Sequence, residues 1–274
     1  MNPVYNLELA RRGAENLKRL RAQKPLIHNI TNYVVMNFTA NVLLACGASP
    51  VMAHAVEEVE EMVSLAGALV LNIGTLSRPW IEGMMKAGKR AHERHIPVIL
   101  DPVGAGATRM RTDSARRLIE AFPIQVIRGN ASEILSLSGG EPGAGPKGVD
   151  AVHQVDEVQE AAIQLARDLQ TTLAITGAVD LVTDGKRVCR VMNGHAMMGR
   201  ITGSGCAATA IVGAFLAVDA DPLAAAATGL SYFGLAGEKA AKRASGPGSF
   251  QAALLDALDE IKEEEFEAGA KIQI

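Results

Sequence analysis

The run Thr202-Gly203-Ser204-Gly205-Cys206-Ala207-Ala208-Thr209 leads straight into a long apolar stretch. Its small residues leave backbone N–H groups uncovered at a helix start, and the positive end of the helix dipole joins them. Such a place suits an anion, and phosphate is the natural guest. Cys206 falls in the first turn, where the dipole is expected to lower the thiol pKa and make thiolate available near neutrality. A thiolate facing an anion pocket could take a proton from an attacking hydroxyl. The plainer alternatives are a glycine-opened core helix and a small buried filler at 206. The spelling also matches a dinucleotide fingerprint, but that fingerprint needs a strand ending in an acid after it, and helices follow here. A P-loop is excluded, because no GxxxxGK[ST] run exists and Lys147 is followed by Gly148.

Two acids occupy comparable places. Asp101 opens Asp101-Pro102-Val103-Gly104 after one short apolar run, and Glu133 ends Arg128-Gly129-Asn130-Ala131-Ser132-Glu133 after another. Open α/β sheets hold their ligands at strand carboxyl ends. An acid pair there suits Mg²⁺, which takes one or two carboxylates together with phosphate oxygens and water. Arg128 adds a fixed cation for phosphates, and Thr176 in Thr176-Gly177-Ala178 adds a hydroxyl. Each residue also has a structural reading: Asp before Pro caps turns, and Ser132 with Glu133 resembles an ordinary helix start. Nearer the N-terminus, Asn32 closes His28-Asn29-Ile30-Thr31-Asn32 beside a helix start, and Met52 offers a flexible thioether to an apolar ligand. His92 and His95 lack HExxH spacing, and His54, His153 and His195 stand alone, so no metal is assigned to histidine.

Something must hold these residues together. Apolar runs at 68–72, 97–100, 124–127 and 172–176 read as strands buried on both faces, and amphipathic stretches at 57–66, 80–92, 113–121 and 156–169 read as the helices between them. That alternation predicts an α/β layered fold with a mostly parallel sheet. Leu7, Ala10, Ala14, Leu17 and Leu20 place an apolar stripe on a helix ending before Pro25. A second helix carries Val34, Phe38, Val42 and Ala45 and closes at Gly47. The Asp184-Gly185 pair between 181–183 and 187–191 predicts a hairpin and thus an antiparallel edge. Beyond Gly205 the chain reads as helices over 207–218, 223–242 and 250–266. The Gly- and Pro-rich stretch 139–150 reads as a mobile surface loop within one domain covering 1–274.

Composition narrows the function classes. The 274 residues suffice for one large or two small domains. Lys plus Arg number 27 against 30 Asp plus Glu, a formal net charge of −3, which gives no general grip on nucleic acid. Residues 203–218 fall short of the roughly 20 that a membrane span needs. Glu8, Arg11, Arg12 and Glu15 interrupt any secretory apolar core, so a cytoplasmic location is expected. Cys46, Cys189 and Cys206 form neither a disulfide framework nor CxxC spacing.

Taken in order, several motifs resemble the hydroxyethylthiazole kinase family of thiamine salvage, within the ribokinase-like superfamily. They are Pro25-Leu26-Ile27-His28 with Ile30-Thr31-Asn32, Phe38-Thr39-Ala40-Asn41, Gly47-Ala48-Ser49-Pro50-Val51-Met52, Asn72-Ile73-Gly74-Thr75-Leu76, Leu100-Asp101-Pro102-Val103, Arg128 to Ile134, and Gly203-Ser204-Gly205-Cys206. The resemblance implies a three-layer αβα sandwich that phosphorylates the hydroxyl of 4-methyl-5-(2-hydroxyethyl)thiazole from ATP with Mg²⁺. It further implies a homotrimer with active sites between subunits. By the same resemblance Asn32 and Met52 fall in the thiazole pocket and Gly203 lines the substrate hydroxyl. Arg128 and Thr176 contact ATP together with Gly205, Asp101 and Glu133 organise Mg²⁺, and Cys206 stands where most ribokinase-like enzymes carry an aspartate base. The chain departs from the family in having Ala178 where Val-Thr-Gly-Glu is common, and in reading DPVGAGA at 101–107. The runner-up readings are a pyrimidine or pyridoxal kinase of the same superfamily, a nucleotide-hydrate dehydratase, and a non-catalytic nucleotide- or thiazole-binding protein.

Overall fold

In the computed structural model residues 5–138 and 155–274 are described; the loop expected at 139–150 lies outside them. The elements run α1 (Leu7–Gln23), β1 (Leu26–Ile30), α2 (Met36–Cys46), β2 (Ser49–Val51), α3 (Val59–Val63), β3 (Ala68–Asn72), α4 (Arg78–Glu93), β4 (Val98–Asp101), α5 (Arg109–Ala121), β5 (Val126–Asn130) and α6 (Ala131–Leu135). They continue with α7 (Val155–Leu169), β6 (Thr172–Thr176), β7 (Asp180–Thr183), β8 (Val188–Val191), α8 (Ser204–Leu216), α9 (Pro222–Ala241), α10 (Pro247–Glu260), α11 (Glu263–Gly269) and β9 (Ile272–Gln273).

Among the described residues nine strands form one sheet in the order β2-β1-β3-β4-β5-β6-β7-β8-β9. Strands from β2 to β6 pair parallel, and β7, β8 and β9 continue antiparallel. Successive side chains on a strand face opposite sides, and the core divides accordingly. Ile27, Val70, Ile99 and Ala174 pack with α1, α2, α8, α9 and α10. Leu69, Leu71, Leu100 and Ile127 pack with α3 to α7 on the other face. The pattern predicts the mostly parallel layered α/β arrangement, and the resemblance implies the three-layer αβα sandwich seen here. Its helices start on sequence-coded caps: Asn6, Ser77, Thr108 and Asp221 accept from first-turn amides of α1, α4, α5 and α9.

Three differences from the sequence reading have physical causes. The helix expected over 250–266 divides into α10 and α11. Ile261 leaves helical geometry (φ −57°, ψ 117°) and is fully buried, and Glu263, Glu264 and Glu265 then open a new helix where the dipole favours acids. β1 escapes a search for purely apolar runs because it carries His28 and Asn29, both buried. β2 and β9 are too short for periodicity to register, and Pro50 in β2 is tolerated on a sheet edge.

Candidate active site

Strand parity gathers the chemistry. Asn72 follows Ala68 and Val70, Asp101 follows Ile99, Arg128 follows Val126, and Thr176 follows Ala174. All four therefore lie on the face that carries α8, Asn72, Asp101 and Thr176 at the carboxyl ends of their strands and Arg128 in the middle of β5. Asn72 and Asp101 are register partners on β3 and β4, and Asn130 and Thr176 are partners on β5 and β6.

A chain of hydrogen bonds links these ends to the α8 start. Thr209 Oγ1 and Asn72 Nδ2 each donate to Asp101 Oδ2 at 2.8 Å. Asn72 Oδ1 accepts from Asn32 Nδ2 and from the Gly74 N–H, both at 2.9 Å. Asn32 Nδ2 also lies 3.4 Å from Cys206 Sγ. The carboxylate, an acceptor only, compels Asn72 to turn its amino group inward; Asn72 must then receive from Asn32, whose amino group in turn faces the sulfur. Asn72, Asp101, Asn32 and Thr209 are all buried, so the chain is a low-dielectric network with little tolerance for a missing member.

The electrostatics overturn one expectation. Burial, then the Asp101 charge, pushes the Cys206 thiol up to about 11, against the bonds from Asn72 and Asn32 and the charge of Arg128. The helix dipole does not deliver a thiolate near neutrality, because desolvation and a neighbouring carboxylate outweigh it. Asp101 is itself pushed up to about 6, chiefly by burial, with Glu133 adding to the rise while Arg128, Thr209 and Asn72 oppose it.

Arg128 occupies the junction. Its Nη2 donates to Thr176 Oγ1 at 2.5 Å, its Nη1 stands 4.0 Å from Asp101 Oδ2, and its buried Nε has no partner among the described residues. A Cβ at Gly205 would meet Arg128 Nη1 at 2.7 Å, so only glycine lets the guanidinium lie against the α8 start. Gly203 is the N-cap of α8 with φ +84° and no side-chain cap. The first helical bond is Ala207 N–H to Gly203 O at 2.8 Å, which leaves the amides of residues 204–206 available to an anion.

The remaining expected residues fall unevenly. Glu133 Oε1 accepts from the Gly104 N–H at 2.8 Å and Oε2 from the Asn130 N–H at 2.9 Å. With Asn130 capping in return, it closes the capping box of α6. The helix start read at Ser132 is thus at Asn130. Met52 lies beyond β2 at the sheet edge, partly buried. His28, held neutral by burial, donates from Nε2 to Ala53 O at 2.8 Å and fixes that exit. Sequence reasoning missed Asn72 and Thr209 as functional positions. The signal for Asn72 was its place at a strand end in register with Asp101; the signal for Thr209 was its spacing of one helical turn beyond Gly205.

The donor set fits Mg²⁺ with phosphate. Both bonds to Asp101 are received by Oδ2, so Oδ1 accepts neither, and each Glu133 oxygen keeps a lone pair after one amide bond. Among the described residues no group of three or more His, Cys, Asp or Glu could hold a metal ion.

The chain is similar to known proteins along most of its length. The profile of the hydroxyethylthiazole kinase family matches residues 17–264. A hydroxyethylthiazole kinase from Desulfotalea psychrophila is 60% identical over 261 residues, covering 95% of each chain. The solved structure of a hydroxyethylthiazole kinase from Pyrococcus horikoshii superposes with a TM-score of 0.88 at 47% identity, covering 96% of this chain and 98% of that one. A ribokinase-like superfamily protein from Enterococcus faecalis shares the fold at a TM-score of 0.64 and 14% identity, over 96% of this chain and all of that one (100%).

Proposed function

The chain belongs to the hydroxyethylthiazole kinase family, and from that premise we propose how its residues carry a phosphoryl group from ATP to the hydroxyl of the thiazole alcohol. It is a kinase of thiamine salvage, and residues 1–274 act as one ribokinase-like domain. The observation that carries the reading is the convergence of the open α8 amides, Arg128 and the Asp101-to-Cys206 hydrogen-bond chain on one end of the sheet.

Phosphoryl transfer passes through a loose transition state, so positioning and charge stabilisation do most of the work. The amides of residues 204–206 cradle the migrating phosphoryl group, with Gly203 lining the hydroxyl. Arg128 and Thr176, with Gly205 clearing the space, bind the ATP phosphates. Asp101 and Glu133 would hold Mg²⁺, which would supply neutralisation of the phosphate charge. Asn32 and Met52 bound the thiazole. The alcohol oxygen forms its bond to the γ phosphorus as the bond to the ADP oxygen breaks, and late in such a transition state the hydroxyl proton passes to an oxygen of the transferred phosphoryl group and from there to solvent. Cys206, protonated beforehand, serves by accepting a hydrogen bond from the hydroxyl at sulfur, a smaller task than that of a preformed thiolate.

The homotrimer with sites between subunits belongs to the same proposal. Tyr33, Val34 and Leu44 are exposed around the β2 edge, and Met52 sits at that edge, where it could serve a neighbouring copy. A cytoplasmic location is also proposed; among the described residues no helix is long and apolar enough to cross a membrane. A coupled assay for ADP release decides the reading. Release should require the thiazole alcohol and Mg²⁺. Release with a pyridoxal or pyrimidine alcohol instead, or with none, rejects it.

A further inference from the structure

Resting on that kinase reading, we propose that Arg111 is a positioning residue for phosphoryl transfer, a three-point clamp that sets the spacing of the loops leaving β3 and β4. Past the register pair of Asn72 and Asp101 one more backbone bond joins these strands, Ile73 N–H to Asp101 O at 3.2 Å. From the first turn of α5, Arg111 reaches back to both exits. Its Nη1 donates to Ile73 O at 3.0 Å and to Val103 O at 2.7 Å, and its Nη2 donates to Gly74 O at 2.7 Å.

Each clamped loop holds one part of the site. The Gly74 N–H fixes Asn72 Oδ1, and the Gly104 N–H fixes Glu133 Oε1. Gly104 has φ +73°, and a Cβ there would stand 3.0 Å from Arg111 Cδ, so this loop turns tightly over the side chain. A planar guanidinium can serve carbonyls on two loops at once, whereas an ammonium is a point donor without that fork. Removing it leaves three carbonyls short of a donor and frees two loops whose separation places Asn72 and Glu133. Arg111 touches no reacting atom in this account; it acts through those residues.

The test uses the full chain with Arg111→Ala and Arg111→Lys, and Arg109→Ala as control. Arg109 is exposed on the same helix, where it pairs with Asp113. For Arg111→Ala we expect kcat to fall about 10- to 10²-fold, the range that small misplacements produce, with both KM values within about threefold of wild type. Arg111→Lys should fall between, and added guanidinium ion should restore part of the Arg111→Ala rate. Hydrogen exchange should quicken at 73–76 and 102–106 and stay unchanged in β1 and α9. A kcat within about twofold of wild type, or faster exchange spread evenly over the chain, overturns the clamp. Should Arg111→Ala fail to fold, Arg111→Lys with the exchange readout decides in the same way. Wild-type protein that releases no ADP with the thiazole alcohol sinks the kinase reading instead, while the exchange arm still reads the clamp.

Discussion

Two buried asparagines do opposite work in this molecule. At the antiparallel end, Asn193 Oδ1 accepts from Ser231 Oγ and from the Lys271 N–H, both at 2.7 Å, and its Nδ2 donates to Glu238 Oε1 at 3.1 Å and Gly269 O at 3.0 Å. It joins the exit of β8 to α9 and to the chain entering β9, and two of its four links end on backbone groups. At the parallel end, Asn72 is likewise bonded through both its oxygen and its nitrogen, yet its links lead to the Asp101 carboxylate and, through Asn32, to the Cys206 sulfur. Both asparagines are bonded through oxygen and nitrogen; the Asn72 network terminates in titratable groups whose pKa values burial has raised. Satisfaction alone therefore marks structure, and what the network ends on marks chemistry.

That contrast yields measurements in descending size. Asp101→Asn should cut kcat by about 10²- to 10³-fold, as expected for loss of a preorganised charge, while thermal unfolding stays near wild type because a buried charge has gone. Asn72→Ala should cost about 10- to 10²-fold in kcat through misplacement of Asn32 and Asp101. Cys206→Ser should cost less than about 10²-fold, the lower end for base catalysis, with ATP affinity retained; an unchanged rate would reduce the thiol to packing.

The sulfur also gives a pH test. Cys206 alkylation should climb towards about 11, well past the ordinary value of 9.0, so at pH 8 the thiolate is roughly one part in 10³. The folded state holds this proton more tightly than the unfolded chain does. The resulting stabilisation is present below 9.0 and lost as pH rises through about 11, and Cys206→Ser should flatten that loss. A rate that plateaus near neutrality would restore the thiolate base. The smallest catalytic effect is expected at the other asparagine: Asn193→Ala should lower stability by about 1–3 kcal/mol with kcat of the folded protein within about twofold of wild type.

Much of the site was legible because strand ends announce themselves. Asp101 and Arg128 each follow a buried apolar run, and the glycines at 203 and 205 open a helix visible in composition. The hydrogen-bond chain was less legible. Asn72 looks like an ordinary strand terminus until the register sets it beside Asp101, and β1, which delivers Asn32, hides behind two buried polar residues. The thiol's protonation was misread for a related reason: sequence places Cys206 at a dipole end, whereas desolvation and the distance to Asp101 are properties of the packed sheet. Glu133 shows the converse, since the capping box it closes was nearly spelled out by Asn130-Ala131-Ser132-Glu133.

The central claim is that Asn72 and Cys206 act as one unit in turnover. A double-mutant cycle on kcat, with Asn72→Ala, Cys206→Ser and both together, tests it most directly. The expected result is a double variant scarcely slower than Asn72→Ala alone, because the sulfur has already lost its orientation. Losses that multiply independently would contradict the account.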